Sequence, residues 1–338
     1  MKVSVLIMTY NQEGFIAQAV TSALMQEVNF DYEIVIGEDA STDRTREIVL
    51  EFQEKYPGKV RALLRDSVDA ERDRAAGVGG KGNVVNGLKA CKGQYVAMFD
   101  GDDYWTDVRK LQKQVDLLDS HPDFAICCHD VRMFYEDSSK EPTNLAPAIR
   151  KEVFTLEDLL LANVVPPCSV LFRRGLFREF PPWFYTLKLG DWPMHIINAQ
   201  HGKVGYINEV MAAYRFHSGG FWSAMSPLSQ GLEIIKMLQH FDAYLGFNYK
   251  KQIRAGKAAW YLHLAEISYR DGDRANTRRF LRQYCLLSQF RDPWKVTSLF
   301  LRGYLPGLYR GLRNLRNRAQ SNGTTSNSLL SNSKDSKG

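Results

Sequence analysis

The chain has 338 residues, of which 44% are apolar and 24% are charged. This composition excludes a disordered or fibrous protein and is typical of a soluble globular protein with a sizeable core. No apolar run reaches about 18 residues and no signal segment precedes the first strand pattern, so we expect neither a transmembrane helix nor secretion. The five cysteines form no Cys-x-x-Cys pair, which predicts reduced thiols and a cytoplasmic location.

The net charge of +6 is unevenly distributed. Residues 270–318 contain twelve Arg or Lys and three Asp, a net of +9, which leaves about −3 for the rest of the chain. The basic character therefore belongs to one C-terminal segment and not to the site proposed below. On this basis we expect no nucleic-acid partner.

Strand and helix patterns alternate in the first third of the chain. Apolar runs over 3–8, 32–36 and 60–64 predict buried strands, and helical spacing predicts helices over 14–25 and from the capping residues 41–43 to about Tyr56. The alternation predicts an α/β fold, with a mostly parallel central sheet covered by helices on both faces.

Residues 66–82 interrupt this alternation, because they are charged at first and rich in glycine later. We predict a loop beside the site, in which Lys81 is a candidate for contact with a diphosphate. A helix over 83–92 then leads into the central strand, Tyr95 to Phe99.

The same patterns predict the elements that follow. They are helices over 107–121, 155–162 and 190–200, strands over 124–128, 169–172, 204–207 and 211–216, and a polar loop over 138–148.

From about residue 227 the pattern is mainly helical. Residues 255–287 predict a helical hairpin similar to one tetratricopeptide unit, which serves packing or partner binding. The basic amphipathic segment 294–318 predicts contact with an anionic membrane surface or, alternatively, a solvated helix packed on the domain. The tail is expected to be disordered. The predicted domains are 1–225, 226–318 and 319–338.

The central strand runs into an acidic turn formed by Asp100, Gly101, Asp102 and Asp103. Clustered carboxylates repel one another, and Mg²⁺ or Mn²⁺ removes that repulsion because hard cations prefer carboxylate oxygens. Gly101 lets the backbone bend so that two acids face one ion. The alternative is a solvated acidic turn in which Asp103 caps the next helix.

Polar residues also follow the first two strands, namely Thr9, Tyr10, Asn11 and Asp39. Ligands of open parallel sheets bind beyond the carboxyl ends of the strands, so we expect these side chains at one edge with the acidic turn. Asp39 is expected to accept a hydrogen bond from a base or a ribose. The alternatives are turn residues at Thr9 and Asn11 and a helix cap at Asp39.

Three motifs carry a resemblance to a known family. They are Val-Ser-Val-Leu-Ile-Met-Thr-Tyr-Asn-Gln over 3–12, Glu-Asp-Ala-Ser-Thr-Asp-Arg-Thr over 38–45 and Phe-Asp-Gly-Asp-Asp over 99–103. In this order they resemble the inverting family 2 glycosyltransferases of the GT-A fold, over roughly residues 1–223. The resemblance implies a Rossmann-like nucleotide-binding half followed by an α-helical C-terminal region.

The resemblance also implies roles for the residues at the strand ends. Thr9, Tyr10, Asn11 and Asp39 would line the nucleotide pocket. Asp100 and Asp102 would form the DXD pair around Gly101, with Asp100 towards the ribose of the donor and Asp102 on the metal.

Two later motifs are similar to the family pattern. The family usually places a catalytic acid at the start of a helix, often as Glu-Asp, and here Gly190-Asp191 stands there. Asp191 is the expected general base, with a helix N-cap as the alternative. In Tyr214-Arg215-Phe216-His217, Arg215 is expected to offset phosphate charge, and His217 to complete the metal shell or contact the diphosphate. A purely structural role is the alternative for His217.

These expectations describe an inverting hexosyltransferase that uses a nucleotide-sugar donor, a UDP-sugar, with Mg²⁺ or Mn²⁺. The acceptor is expected to be a glycan or a lipid-linked molecule of cell-surface polysaccharide synthesis, and the enzyme to lie at the inner face of the plasma membrane. Two alternatives stay open: a sugar nucleotidyltransferase, although no basic glycine-rich loop follows the first strand, and a non-catalytic scaffold that binds partners through its helical region.

Overall fold

A computed structural model describes residues 1–288, except 78, 149 and 218, together with 297, 300 and 304. Ten strands are present in this part of the chain: β1 Val3–Thr9, β2 Tyr32–Glu38, β3 Val60–Leu64, β4 Tyr95–Asp100, β5 Tyr104–Trp105, β6 Phe124–Tyr135, β7 Thr143–Leu145, β8 Val153–Phe154, β9 Leu171–Arg173 and β10 Lys203–Phe216. The helices are α1 Ile16–Leu24, α2 Thr45–Lys55, α3 Ser67–Ala75, α4 Lys81–Ala90, α5 Lys110–Ser120, α6 Leu156–Leu161, a 3₁₀ helix Pro182–Thr186, α7 Asp191–Ala199, α8 Pro227–Tyr244, α9 Lys250–Arg270 and α10 Arg274–Leu287.

All ten strands belong to one sheet. Eight of them follow the order β3-β2-β1-β4-β9-β6-β10-β5, while β7 pairs with β6 and β8 with β10. The first four strands are parallel, as predicted. Beyond β4 the sheet is mixed, because β9 runs antiparallel between β4 and β6 while β6 and β10 are parallel. The carboxyl ends of β1, β2 and β4 therefore meet at one edge, where the predicted site residues follow.

The parallel half of the sheet, β1 to β4, is covered on both faces. Val5 and Ile7 pack in one apolar cluster with Ile16 and Val20 of α1. Leu6 points to the other face, where a Cβ at Gly87 of α4 would lie 2.6 Å from its Cδ1. Every residue of β1 and β2 is buried, as expected for inner strands of an α/β sheet.

The structure corrects the predicted loop over 66–82. Nine of its residues form α3, and the side chain of Asp66 caps this helix by accepting the backbone N–H of Val68 at 2.8 Å. α4 begins at Lys81, two residues earlier than predicted. The sequence did not indicate α3 because only Ala70 of the helix is buried, so it has almost no apolar face.

Two further predictions gave strands that are shorter than those in the structure. β6 continues to Tyr135, well past the predicted end at 128, because β10 pairs with it along its length. The two strands predicted over 204–207 and 211–216 are one strand, whose register shifts between Ile207 and Val210. Among the described residues, no helix is long and apolar enough to cross a bilayer.

The chain divides into two compact units. The first comprises Met1–Ser226 and Lys236–Ile253, and the second comprises Pro227–Ile235 and the residues from Arg254 onwards. In the second unit α9 and α10 form a helical hairpin around Ala265 and Phe280, with Asp273 as the N-cap of α10. The predicted domain limits stay predictions. Nearly all of the predicted basic segment 294–318, and the whole predicted tail 319–338, lie outside the described residues.

Candidate active site

The acidic turn after β4 is closely packed against the turn after β1. The backbone N–H of Gly101 donates to the carbonyl of Met8 at 2.7 Å. A Cβ at Gly101 would lie 2.7 Å from Oε1 of Gln12 and 3.0 Å from Oγ1 of Thr9. Thr9 itself is buried and donates to Gln12 at 2.8 Å. Any larger residue at this position would therefore push against the side chains that pack on the turn carrying Asp102.

The end of β10 meets the same acidic turn from the opposite side. Nε2 of His217 lies 2.9 Å from Oδ2 of Asp102, and this hydrogen bond raises the pKa of His217. Asp103 is buried and accepts the backbone N–H of Arg215 at 2.9 Å. Burial and the charge of Asp102 raise the pKa of Asp103 well above its ordinary value. Asp103 therefore joins the turn to β10 and does not cap a helix.

Arg215 binds protein groups with each of its three side-chain nitrogens. Nε donates to the carbonyl of Asp102 at 2.9 Å, Nη2 to Gln18 at 2.7 Å, and Nη1 pairs with Glu136. Its guanidinium also lies over three aromatic rings, those of Phe15, Phe134 and Tyr104. Arg215 thus holds the backbone of the acidic turn, and its expected contact with phosphate stays a prediction.

Asp191 and Asp100 lie close enough to interact through their charges. Asp100 is exposed, yet crowding by surrounding protein atoms and the charges of Asp102 and Asp191 raise the pKa of its carboxyl to about 7. Asp191 is exposed at the first residue of α7, and Gly190 occupies the N-cap position. The helix-cap alternative for Asp191 is therefore wrong, and its charge contributes to the raised pKa of Asp100.

The turn after β1 is fixed by the segment that follows β2. Asn11 has φ of 50°, its side chain accepts the N–H of Thr42 at 2.8 Å, and its own N–H donates to Ser41 at 3.0 Å. Tyr10 is 39% exposed, and the guanidinium of Arg74 lies 4.5 Å from the centre of its ring. Asn11 is thus a turn residue that shapes the edge, Thr9 is the last residue of β1, and Tyr10 has an exposed ring. Their contacts with a nucleotide stay predictions.

Asp39 is buried between two arginines, Arg65 directly after β3 and Arg74 of α3. Oδ1 accepts Nη1 of Arg65 at 2.8 Å, and Nη1 of Arg74 donates to the backbone carbonyl of Asp39 at 2.9 Å. Arg65 also pairs with Asp73 of α3. Burial raises the pKa of Asp39, whereas the two guanidinium groups oppose that rise. Asp39 does not act as a helix cap in this arrangement.

Sequence reasoning missed Arg65 and Arg74 as members of this edge. A usable signal was the run of alternating charges over 65–74, which is typical of a solvent-facing helix held by ion pairs. Lys81, expected to face a diphosphate, is instead buried, and its ammonium donates to the carbonyl of Leu187. That prediction is wrong because α4 begins at Lys81 and turns its side chain inward.

Asp102 and His217 are the described pair best suited to a divalent cation. Within the described part of the chain, no group of three or more His, Cys, Asp or Glu side chains is arranged to hold a metal by itself. Two protein ligands nevertheless suit Mg²⁺ or Mn²⁺, which are commonly held by one or two side chains while substrate phosphates and water supply the other ligands.

The parallel β1–β4 half, the mixed second half and the acidic turn at the strand ends are the features of the GT-A fold. The family model described as "Glycosyl transferase family 2" matches residues 4–180. The chain therefore belongs to this family, as the three sequence motifs indicated.

Among curated proteins, an uncharacterized protein of Mycobacterium tuberculosis is 35% identical over 220 residues. The match covers 65% of this chain and 60% of that protein, so the chain spans less than two thirds of its relative. Among solved structures, residues 1–349 of Staphylococcus aureus TarS in complex with UDP-GlcNAc match with a TM-score of 0.58 and 17% identity, covering 84% of this chain and 82% of that one. The mannosyltransferase PcManGT of Pyrobaculum calidifontis, in complex with GDP-Man and Mn²⁺, matches with a TM-score of 0.51 and 14% identity, covering 91% and 87%. At these identities the two structures support the fold alone.

Proposed function

We propose that the protein is an inverting glycosyltransferase that moves a sugar from a UDP-sugar to an acceptor hydroxyl. The observation that carries this proposal is the contact between Asp102 of the acidic turn and His217 at the end of β10, in which Nε2 lies 2.9 Å from Oδ2. Asp191, the first residue of α7, is the carboxylate that we propose acts on the acceptor there. A carboxylate on its own helix, opposite a turn suited to a metal-bound diphosphate, is what a single-displacement transfer needs.

The base-binding end of the edge favours uracil. The pairing edge of uracil presents an acceptor, a donor and an acceptor in that order. Asp39 offers an acceptor, and Arg65 and Arg74 offer donors beside it. The pairing edge of guanine presents one acceptor and two donors, which would place a donor against a guanidinium group. The exposed ring of Tyr10 offers a stacking surface for the base.

Asp102 and His217 would hold Mg²⁺ or Mn²⁺ at this site. When bound, the ion would act as a Lewis acid that stabilises the negative charge developing on the diphosphate leaving group. Supporting this assignment, both side chains are 16% exposed, so they are accessible to a ligand while the turn behind them is anchored by Arg215.

Asp191 would take the proton from the attacking hydroxyl as general base. It is exposed at the first residue of α7, so an acceptor hydroxyl can reach its carboxylate. One carboxylate is sufficient because direct displacement inverts the anomeric centre without a covalent intermediate. Asp100 would orient the donor through its ribose, next to the metal-binding side chain.

A glycan or lipid-linked acceptor, work at the inner face of the plasma membrane and a cytoplasmic location stay predictions of the sequence. Most of the segment expected to touch the membrane lies outside the described residues.

A release assay tests the proposal. The purified chain is incubated with Mn²⁺ and a panel of UDP-sugars, with GDP-mannose as the control donor, and UDP or GDP release is measured with and without glycan acceptors. We expect release from at least one UDP-sugar and at least tenfold tighter binding of UDP than of GDP by calorimetry.

Two results would support the alternatives. Pyrophosphate release from a nucleoside triphosphate and a sugar phosphate would identify a nucleotidyltransferase. The absence of any UDP binding in the presence of Mn²⁺ would indicate a scaffold.

A further inference from the structure

The segment that delivers Asp191 to the site is held by two lysines from different helices. This segment, residues 182–190, begins with the 3₁₀ helix and ends at Gly190, and we call it the strap. Nζ of Lys236 on α8 donates to the carbonyl of Thr186 at 2.6 Å. The ammonium of Lys81 on α4 donates to the next carbonyl, that of Leu187.

The two anchors differ in burial. Lys236 and Thr186 contact each other at the surface, so water replaces that hydrogen bond if the lysine is removed. Lys81 is 4% exposed and Leu187 is 0% exposed. Removing Lys81 therefore leaves a buried carbonyl without this partner, and the strap has to shift to recover one. The buried anchor fixes the strap, and the surface anchor only supports it.

The carbonyl of Leu187, which Lys81 binds, is close to Asp191 in the chain. Leu187 lies four residues before Asp191, and Leu189 between them is buried as well. Nζ of Lys81 also lies 5.5 Å from the ring centre of Phe184, which is fully buried in the strap. We therefore expect that a shift of the strap backbone at Leu187 also moves the first turn of α7, which carries Asp191.

The backbone at Lys81 lies near Asp39, which is proposed to bind the base. Lys81 is the first residue of α4, and the preceding residue, Gly80, lies beside Asp39, since a Cβ at Gly80 would be 3.8 Å from its Oδ2. Lys81 therefore connects the surroundings of Asp39, through its backbone, to the strap that carries the proposed general base, through its side chain.

We propose that Lys81 is a positioning residue, which holds the strap through the carbonyl of Leu187 and so sets the distance of Asp191 from the reacting sugar. This inference rests on the proposed role of Asp191 in transfer. Because a misplacement of about 1 Å can cost about 10²-fold in rate, loss of this anchor reduces turnover and leaves nucleotide binding in place.

The test compares K81M with K81R and with the matched control K236M. The UDP-sugar that releases UDP fastest in the donor panel is the probe, and both kcat and the donor KM are measured with Mn²⁺. We expect K81M to lose kcat by about 10- to 10²-fold, with the donor KM within threefold of wild type. K81R keeps a cationic donor and is expected to retain at least a third of kcat, and K236M to stay within threefold.

Hydrogen–deuterium exchange supplies a readout that does not depend on activity. In K81M the amides of residues 186–191 are expected to exchange at least tenfold faster, while those of β1 and β2 do not change. In K236M the same amides are expected to exchange within threefold of wild type. If K81M does not fold, K81Q takes its place, because its uncharged amide is one bond shorter.

Three results would overturn the inference: an unchanged kcat in K81M, a loss explained by a proportional rise in donor KM, or an equal loss in K236M. Unchanged exchange over 186–191 in K81M would also overturn it. If the wild-type chain releases no nucleotide from any donor, the proposed function fails, and the exchange experiment alone still decides whether Lys81 fixes the strap.

Discussion

Nε2 of His217 lies 2.9 Å from Oδ2 of Asp102, although 115 positions separate the two residues in the chain. The contact joins the acidic turn after β4 to the end of β10. Each side chain is 16% exposed, so the pair is neither sealed in the core nor loose on the surface. A ligand that approaches the turn meets both residues together.

Replacing Asp102 with Ala is expected to remove Mn²⁺-dependent binding of UDP and to lower kcat/KM by about 10²-fold or more, because several kcal/mol of charge stabilisation are lost. Calorimetry of UDP with and without Mn²⁺ measures the binding. H217A is expected to have a smaller effect, since one carboxylate still remains. Mn²⁺-dependent UDP binding that is equally strong in D102A and wild type would contradict the assignment of Asp102.

Replacing Asp191 with Asn is expected to lower kcat by about 10²–10⁴-fold, the range for a general base. The Kd for UDP should stay within about threefold, because the amide has nearly the same size and Asp191 is assigned no contact with the nucleotide. Single-turnover sugar transfer measures the loss. D137N, a substitution at an exposed residue of the turn after β6, is the control and should retain full activity. Wild-type turnover in D191N would remove Asp191 from the mechanism.

Replacing Gly101 with Ala is expected to destabilise the fold by about 1–3 kcal/mol, because the added methyl group collides with Gln12 and Ile16 at 2.7 and 2.9 Å. Urea unfolding measures the change. G14A is the matched control, since a Cβ there meets no atom within 4 Å, and its effect should lie within about 0.5 kcal/mol. Equal stability of G101A and G14A would show that the turn adjusts without cost.

Lys110 predicts a specific dependence of stability on pH. It is fully buried, with its ammonium 2.6 Å from Oε1 of Gln114 and 4.1 Å from the ring centre of Trp105. Burial lowers its pKa from 10.5 to about 7, although Cys127 and Cys168 nearby oppose the shift. Above pH 7 the unfolded chain therefore binds more protons than the folded one, so this group makes stability rise with pH towards 10.5.

The measurement compares wild type with K110M by urea unfolding between about pH 7 and 8.5. Cysteines of the unfolded chain titrate near the top of this range, but both proteins contain them, so the difference between the two profiles reports Lys110. The free energy of unfolding should rise more steeply with pH in wild type than in K110M, because only wild type carries this group. Parallel pH profiles for the two proteins would mean that Lys110 stays protonated in the folded state.

The sequence predicted the parts of the site that depend on local pattern. β1, β2 and β4 were placed because apolar runs end in polar residues, and Asp102 follows the end of β4 as expected. Asp191 was expected at the start of a helix, where it lies, and the roles of both residues stay predictions. α7 begins at Asp191, within one residue of the prediction. These features follow from short stretches of chain, in which spacing and residue type are sufficient.

The features that were missed depend on partners distant in sequence. α3 is held by Arg74, which pairs with Asp39, and by Arg65, which pairs with both Asp39 and Asp73 of the helix. Asp39 precedes β3 in the chain. The full length of β6 requires β10, which follows some 70 residues later. Arg215 was expected to contact phosphate because its partners Glu136 and Gln18 are distant in sequence, so no local pattern indicates them.

The discontinuity of the first unit has a consequence for protein engineering. The family match ends at residue 180, yet Trp183 stacks on His240 of α8, with ring centres 5.4 Å apart. A protein shortened at Ser226 would keep every sequence motif and lose the rings that cover Trp183, together with Lys236. Grafting the first unit onto another scaffold, or swapping it between relatives, therefore requires carrying over residues 236–253 as well.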